Sequence, residues 1–375
     1  MMNKKKILFI TGTRADYGKI KSLLWRIDSS SEFDLTVYVT GMHLSSSHGS
    51  TYLEVLKDGW KRIYVDYASS GSFQNMSGYL GTLIKNLSAF LVLNRQDLIV
   101  VHGDRCEAMA GALSGALNNI RVGHIEGGEL SGTIDESLRH AITKLAHEHF
   151  VSNRDAAERV WAMGEEKSHI YKIGSPDIDL MMGTLTDVEV VKKYYDIPFE
   201  NYSIAMLHPV TTEPSFYQQA SVFVSSLIES KKNYVVIYPN NDRGFSDILA
   251  CYKRFEGLSN FKVFPSIRFE YFLSLLKNSD FLIGNSSAGV REAGVYGVPA
   301  IDIGNRQSGR YELKLLPHLQ HCEFDVSAIL SAISSVKKGM VSQDAWGDGH
   351  AADYFMDVLK RENFWTSSIQ KRNRF

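Results

Sequence analysis

The feature that most limits what this chain can fold into is its alternation of short apolar runs with longer helical stretches. "KILFIT" (6–11) leads into a helical pattern from Tyr17 to Ile27, and "FDLTVYVTG" (33–41) follows. "DLIVVHGD" (97–104) feeds the alanine-rich "CEAMAGALSGALNN" (106–119). "IRVGHIEG" (120–127) feeds a helix near 134–147, and "HEHFVSN" (147–153) feeds "RDAAERVWAMG". Strands apolar without interruption are covered on both faces, and strands separated by helices run parallel. The pattern weakens over 176–200, where Pro176, a charged stretch and Pro198 stand. It resumes with "YSIAMLHP" (202–209), "NYVVIYPN" (233–240), "FKVFPS" (261–266), "DFLIGNSS" (280–287) and "PAIDIG" (299–304). For 375 residues the economical reading is α/β, with two doubly wound parallel-sheet domains. Such sheets bind ligands beyond the carboxyl ends of their strands.

Charge and cysteine usage exclude several function classes. With 41 basic and 42 acidic residues there is no field to draw in nucleic acid or an anionic membrane. Cys106, Cys251 and Cys322 are scattered, with no C-x-x-C pair, which fits a reducing compartment. The start "ILFI" is too short for a signal segment, and no run approaches a membrane span. The expectation is a cytoplasmic protein without metal or other cofactor. No H-E-x-x-H is present, and His124-x-Glu126 lacks the P-C-x-x-C of a zinc deaminase. His140, His147 and His149 read as helix-end residues.

The strand ends carry the chemistry. "TGTRADYG" (11–18) is neither a dinucleotide fingerprint nor a P-loop, but Arg14 at this turn suits a phosphate as well as it suits a surface or cap. "HGDR" puts Asp104 either beyond its strand or at the cap of the next helix. "GHIEGGELSGTIDESLRHAITKLAH" (123–147) holds four carboxylates. Thr133 and Glu136 form a capping box, and Asp135 has Arg139 as an i+4 mate. Glu126 at the end of a buried strand has no such local role, and a buried acid is unfavourable unless paired or functional. Clustered, Asp104, Glu126 and Asp135 would repel one another and raise a pKa, as proton transfer near neutral pH requires. In "LIGNSSAGVREAG" (282–294), a strand meets a helix starting near Ala288, where Ser286 and Ser287 suit either N-caps or, as the two serines followed by Gly289 favour, a diphosphate seat. Glu292 suits a ribose diol or a salt bridge. His208 and Asn240 stand at two further strand ends. "FEYFLSLL" (269–276) reads as a helix with an aromatic core stripe.

In order and spacing, "TGTRADYGK", "VHGDRCEA", "HIEGGELSGTIDESLRHAITKLAH", "HPVTTE", "YPNND" and "GNSSAGVREAGVYGVPAIDIGNRQSGR" resemble the hydrolysing UDP-N-acetylglucosamine 2-epimerases. That family includes the bacterial enzymes that start sialic acid synthesis and the epimerase half of the animal bifunctional epimerase/kinase. The resemblance runs from about residue 6 to about 310. It implies a GT-B fold: two Rossmann-like domains, the nucleotide sugar in a cleft between them, and a C-terminal helix crossing back. The domains it implies are 1–178, with a helix at about 352–370 packing back on it, and 179–351. The implied reaction turns UDP-N-acetylglucosamine and water into N-acetylmannosamine and UDP, through elimination to 2-acetamidoglucal and then hydration. Asp104, Glu126, Asp135 and His208 fall on its catalytic positions. Arg14, Arg105, Asn240, Ser286, Ser287, Glu292 and Arg306 fall on UDP contacts, and the Ile267 backbone lies on the uracil side. Gly18 replaces a serine of the animal form. His43 or His48 is expected to line the cleft, and a homodimer or homotetramer is expected. The rival readings are a UDP-diacetylbacillosamine 2-epimerase, a non-hydrolysing UDP-GlcNAc 2-epimerase, a retaining glycosyltransferase and a non-catalytic nucleotide-sugar sensor.

Overall fold

The computed structural model describes residues 4–69, 75–131, 134–210, 216–240, 242–308, 316–337 and 346–372. The chain divides into two compact units. Unit 1 comprises Met1–Glu129, Asp135–Gly183 and Ala345–Phe375, and unit 2 comprises Leu130–Ile134 and Thr184–Asp344.

Unit 1 is built on seven parallel strands: β1 (Lys5–Thr11), β2 (Phe33–Val39), β3 (Ile63–Val65), β4 (Leu98–His102), β5 (Arg121–Ile125), β6 (Glu148–Val151) and β7 (Ile170–Lys172). Their order is β3-β2-β1-β4-β5-β6-β7. Successive side chains of a strand point to opposite faces, and the core follows that alternation. Ile7, Phe9, Leu98 and Val100 join one apolar cluster, while Leu8, Ile10, Ile99 and Val101 join another on the opposite face. The first cluster is completed from the far end of the chain by Phe355, Met356, Val358, Leu359 and Phe364. Each fully buried side chain of this kind contributes about 1.5–3 kcal/mol. The expected single C-terminal helix is two, Ala351–Leu359 and Glu362–Thr366, because Arg361 adopts an extended backbone between them.

The 18-residue helix Met76–Leu93 is long and apolar enough, by length and composition, to cross a membrane, a segment the sequence reading passed over. Tyr79, Leu83, Leu87, Phe90 and Leu91, at spacings of three and four or adjacent, form the one face that is buried within unit 1, while Val92 and Leu93 at its end are exposed.

Unit 2 carries six parallel strands: β8 (Ser203–Met206), β9 (Tyr234–Ile237), β10 (Phe261–Phe264), β11 (Leu282–Gly284), β12 (Ala300–Ile303) and β13 (Leu319–Cys322), in the order β10-β9-β8-β11-β12-β13. The aromatic stripe of the helix Phe269–Lys277 is buried as its spacing implies. Gly284 is required where β11 pairs with β8: its φ is +139°, and a Cβ there would lie 1.9 Å from the Met206 carbonyl oxygen.

In both sheets the chain first winds outward one way, then returns to the other side of its starting strand. The reversal lies between β1 and β4 in unit 1 and between β8 and β11 in unit 2. Those are the positions where open α/β sheets form ligand crevices.

Candidate active site

At the unit 1 switch point, Thr13 caps the helix Arg14–Asp28 in a capping box with Asp16, which fixes Arg14 in the first turn. Arg14 lies part-buried and grips Glu54 with two donors, Nε to Oε2 at 2.9 Å and Nη2 to Oε1.

At the end of β4, Gly103 turns with φ +72° and the next helix, Cys106–Leu117, starts from Arg105 as its N-cap. Asp104 is thus not the cap. Its carboxylate pairs with Arg139 on the helix Ile134–Leu145. Arg139 is almost fully buried, and its Nε and Nη1 make no hydrogen bond. Sequence spacing offered Arg139 to Asp135; the fold carries it to Asp104. Asp135 is half-buried in the first turn of that helix, and Glu136 sits 3.7 Å from His140. Thr133, expected to cap it, lies outside the described residues.

Arg105 approaches Glu107 at 3.8 Å. Glu107 is buried, accepts a hydrogen bond from Tyr79 Oη at 2.6 Å, and presses on Gly12 and Gly41 so closely that a Cβ at either glycine would strike it. The sequence reading did not single it out.

Glu126 follows β5 and is 6% exposed, with φ +61°. Of the five non-glycine residues described with positive φ, it alone is buried. Such a backbone is unfavourable and persists where the surroundings over-determine it, as at active sites. Ser175 Oγ donates to Glu126 Oε1, and His102 Nε2 lies 3.3 Å from Oε2. The expected repulsion between the acids is thereby opposed by a donor or cation beside each of Asp104 and Glu126.

Behind these residues stand buried neutral histidines. His124 is fully enclosed. Its Nε2 donates to the Gly103 carbonyl at 2.8 Å, so Nδ1 accepts from Thr143 Oγ1 at 3.1 Å, and burial pushes its pKa down to about 3. His43, expected at a cleft wall, has no exposure at all. Its ring bridges Thr11 at 3.0 Å and Thr51 at 2.7 Å, and burial lowers it to about 4. It braces the β1 turn and does not line an opening. His48 is nearly buried and bonds Ser45 at 2.9 Å. His147 accepts from the Val122 amide, and His149 is no helix-end residue: it lies inside β6, 3.1 Å from Glu165. Among the described residues no group of three His, Cys, Asp or Glu could hold a metal ion.

At the unit 2 switch point the hub is Asn285, fully buried just beyond β11. Its Oδ1 accepts from the His208 amide at 2.7 Å, and its Nδ2 donates to the His208 carbonyl at 2.8 Å. Its own carbonyl accepts from Arg306 Nη1 at 3.1 Å and Gln307 Nε2 at 2.7 Å. The Asn240 amide donates to His208 Nδ1 at 3.1 Å, so neutral His208 carries its proton on Nε2. Asn285 therefore holds His208 and Arg306 directly, and Asn240 through His208, three of the expected contacts. Ser286 caps the short helix Ser287–Val290, accepting from the Ala288 amide at 3.3 Å, and Ser287 is half-buried. The helix expected to run on from Ala288 breaks at Arg291 and restarts as Glu292–Tyr296, with Glu292 buried. Ile267 is buried before the helix Phe269–Lys277.

The sequence matches the profile of the family described as UDP-N-acetylglucosamine 2-epimerase over residues 26–360. It is 44% identical to a UDP-N-acetylglucosamine 2-epimerase of Neisseria meningitidis serogroup B, over 98% of each chain. It is 29% identical to a hydrolysing UDP-N,N'-diacetylbacillosamine 2-epimerase of Legionella pneumophila, over 99% of this chain and all of that one. Among solved structures, it superposes with a TM-score of 0.81 on a UDP-GlcNAc 2-epimerase of Methanocaldococcus jannaschii in complex with UDP-GlcNAc and UDP. That match covers 94% of this chain and 99% of the other at 18% identity, a likeness of fold. With its two doubly wound parallel sheets, the chain has the GT-B fold class expected from sequence.

Proposed function

Because the chain belongs to the UDP-N-acetylglucosamine 2-epimerase family, we propose that it is the hydrolysing form, converting UDP-N-acetylglucosamine and water to N-acetylmannosamine and UDP. In this reading it catalyses the first step of sialic acid synthesis in the cytoplasm, as a homodimer or homotetramer. The observation that carries it is Glu126, a buried strand-end acid held in a left-handed backbone at the site of a topological reversal's neighbouring strand. Elimination of UDP needs a base for the weakly acidic C2 proton, and hydration of the glucal needs acid–base help on the other face. Asp104 or Glu126 takes the C2 proton, and Asp135 assists the water or the leaving group. Arg14, Arg105, Ser286, Ser287 and Arg306 are the proposed diphosphate contacts, supplying cationic, N–H and hydroxyl donors. Glu292 accepts from the ribose, Asn240 and the Ile267 backbone face the nucleoside, and His208 Nε2 offers a proton donor.

The test is incubation with UDP-GlcNAc in D₂O, followed by proton NMR. Free N-acetylmannosamine deuterated at C2, together with UDP, is the expected result. UDP-N-acetylmannosamine in its place would make the enzyme non-hydrolysing. A second reading, UDP-diacetylbacillosamine as substrate, is supported by the Legionella relative. Turnover of that nucleotide with UDP-GlcNAc left intact would establish it.

A further inference from the structure

Ser175 occupies the N-cap position of the helix Pro176–Met182, yet its side chain makes no capping hydrogen bond. A serine there ordinarily accepts from the amides of the first turn, worth about 1 kcal/mol. Here the hydroxyl points elsewhere and donates to Glu126 Oε1, 49 residues away in sequence. Ser175 is fully buried, so the bond is shielded from water.

The surroundings hold Ser175 as firmly as they hold Glu126. Its amide donates to the Trp346 carbonyl at 2.7 Å. Gly174 (φ +84°) and Gly347 (φ +136°) lie so close that a Cβ on Gly174 would sit 3.3 Å from Gly347 Cα. The helix that follows is tied by Ser22 to the Pro176 carbonyl at 3.2 Å and by Lys19 to Asp177 at 3.2 Å. Asp179 accepts the Ala351 and Ala352 amides at 2.7 and 2.8 Å. On the other side, Glu126 is fixed by its backbone amide, which donates to the Phe150 carbonyl at 2.9 Å.

We infer that Ser175 is the positioning residue for Glu126: it pins Oε1, so that Oε2, the oxygen beside His102, is the one presented to the sugar. The inference rests on the functional reading above and deepens it. Reacting groups must be held to within a fraction of an ångström, and a displacement near 1 Å loses about 100-fold in rate. A carboxylate with one oxygen bonded and its backbone strained has little freedom to swing.

The experiment is steady-state UDP release from UDP-GlcNAc by wild type, Ser175→Ala, Ser175→Thr, Glu126→Gln and the Glu126→Gln/Ser175→Ala double variant, each checked for native circular dichroism. Ser175→Ala is expected to lower kcat by roughly 10- to 100-fold with KM changed less than about twofold. Ser175→Thr, which keeps the hydroxyl, should recover part of the loss. In the Glu126→Gln background, Ser175→Ala should have no further effect, because the residue it positions is already gone. A Ser175→Ala enzyme with native kcat would overturn the inference. So would equal, multiplicative losses in the double variant, which would mark the serine as merely structural. Should Ser175→Ala not fold, the comparison of Ser175→Thr with wild type and with the Glu126→Gln/Ser175→Thr pair decides by the same criterion. Wild type that releases no UDP would overturn the reaction itself, whereas wild-type turnover with an unimpaired Ser175→Ala would overturn this inference alone.

Discussion

Lowering the pH from 7.5 to 5.5 should destabilise unit 1 well before its carboxylates titrate. Burial holds His43 and His147 down at about 4 and His124 down at about 3. In the unfolded chain these imidazoles titrate near 6.5. A group depressed in the folded state contributes stability that is present above the unfolded pKa and is lost as pH falls toward the folded one. At pH 5.5 each of the three has therefore forfeited about 1.4 kcal/mol, or about 4 kcal/mol together. His48 and His149 are also lowered by burial and act in the same direction. His169 is raised by its hydrogen bond to Glu148, so its contribution grows as pH falls and offsets a part. Glu165 is lowered to about 2, by hydrogen bonds from His149, Lys144 and Lys371 that outweigh its burial, and stays charged across the window. For a unit of this size, about 4 kcal/mol corresponds to a fall in Tm of roughly 8–16 °C. Differential scanning calorimetry at pH 7.5, 6.5 and 5.5 measures it. His124→Gln, which cannot titrate, should remove about a third of the slope even if its Tm at pH 7.5 is lower. A Tm that is flat or rises between pH 7.5 and 5.5 would refute the claim that these rings are held neutral.

Arg139→Met removes the guanidinium paired with Asp104; activity should drop at least tenfold, and unit 1 should lose about 3–5 kcal/mol in urea melts, the range for breaking a buried pair. Lys371→Met should lower the stability of unit 1 by about 2–3 kcal/mol, because Nζ bonds the carbonyls of Thr143, Lys144 and Ala146 at 3.2, 2.8 and 2.6 Å and pairs with Glu165 at 2.7 Å. Hydrogen exchange of the helix Ile134–Leu145 is the direct readout, and unchanged protection there would contradict it.

Much of the fold was legible because buried parallel strands announce themselves as unbroken apolar runs. The strands missed, β3, β7 and β13, are short edge strands of three or four residues with partly exposed sides, and no such run marks them. In the site, Glu126 was legible because an acid ending a buried strand has no local excuse. Its partner was not: a serine before proline reads as a helix cap, and nothing local says that its hydroxyl has turned to a strand 49 residues back. Arg139 was assigned by spacing to Asp135, whereas packing gave it Asp104, 35 positions away. Asn285 lay in plain view inside "GNSS", but a hub is defined by its partners, and those arrive from β8 and from the segment after β12.

The last stretch of chain has a consequence for how the protein is made. Unit 1 begins at the first strand, yet its core includes Phe355 against Phe150, with ring centroids 4.6 Å apart, and its Ser175 amide bonds the Trp346 carbonyl. Arg121 donates to Ser367 at 2.8 Å, and Lys371 closes the helix Ile134–Leu145. Between Gly183 and those residues the ribosome must first deliver the whole of Thr184–Asp344, roughly 160 residues, which at bacterial and eukaryotic speeds takes about 8–32 s. Throughout that interval the unit translated first stands with an open flank, and the unit translated second can finish before it.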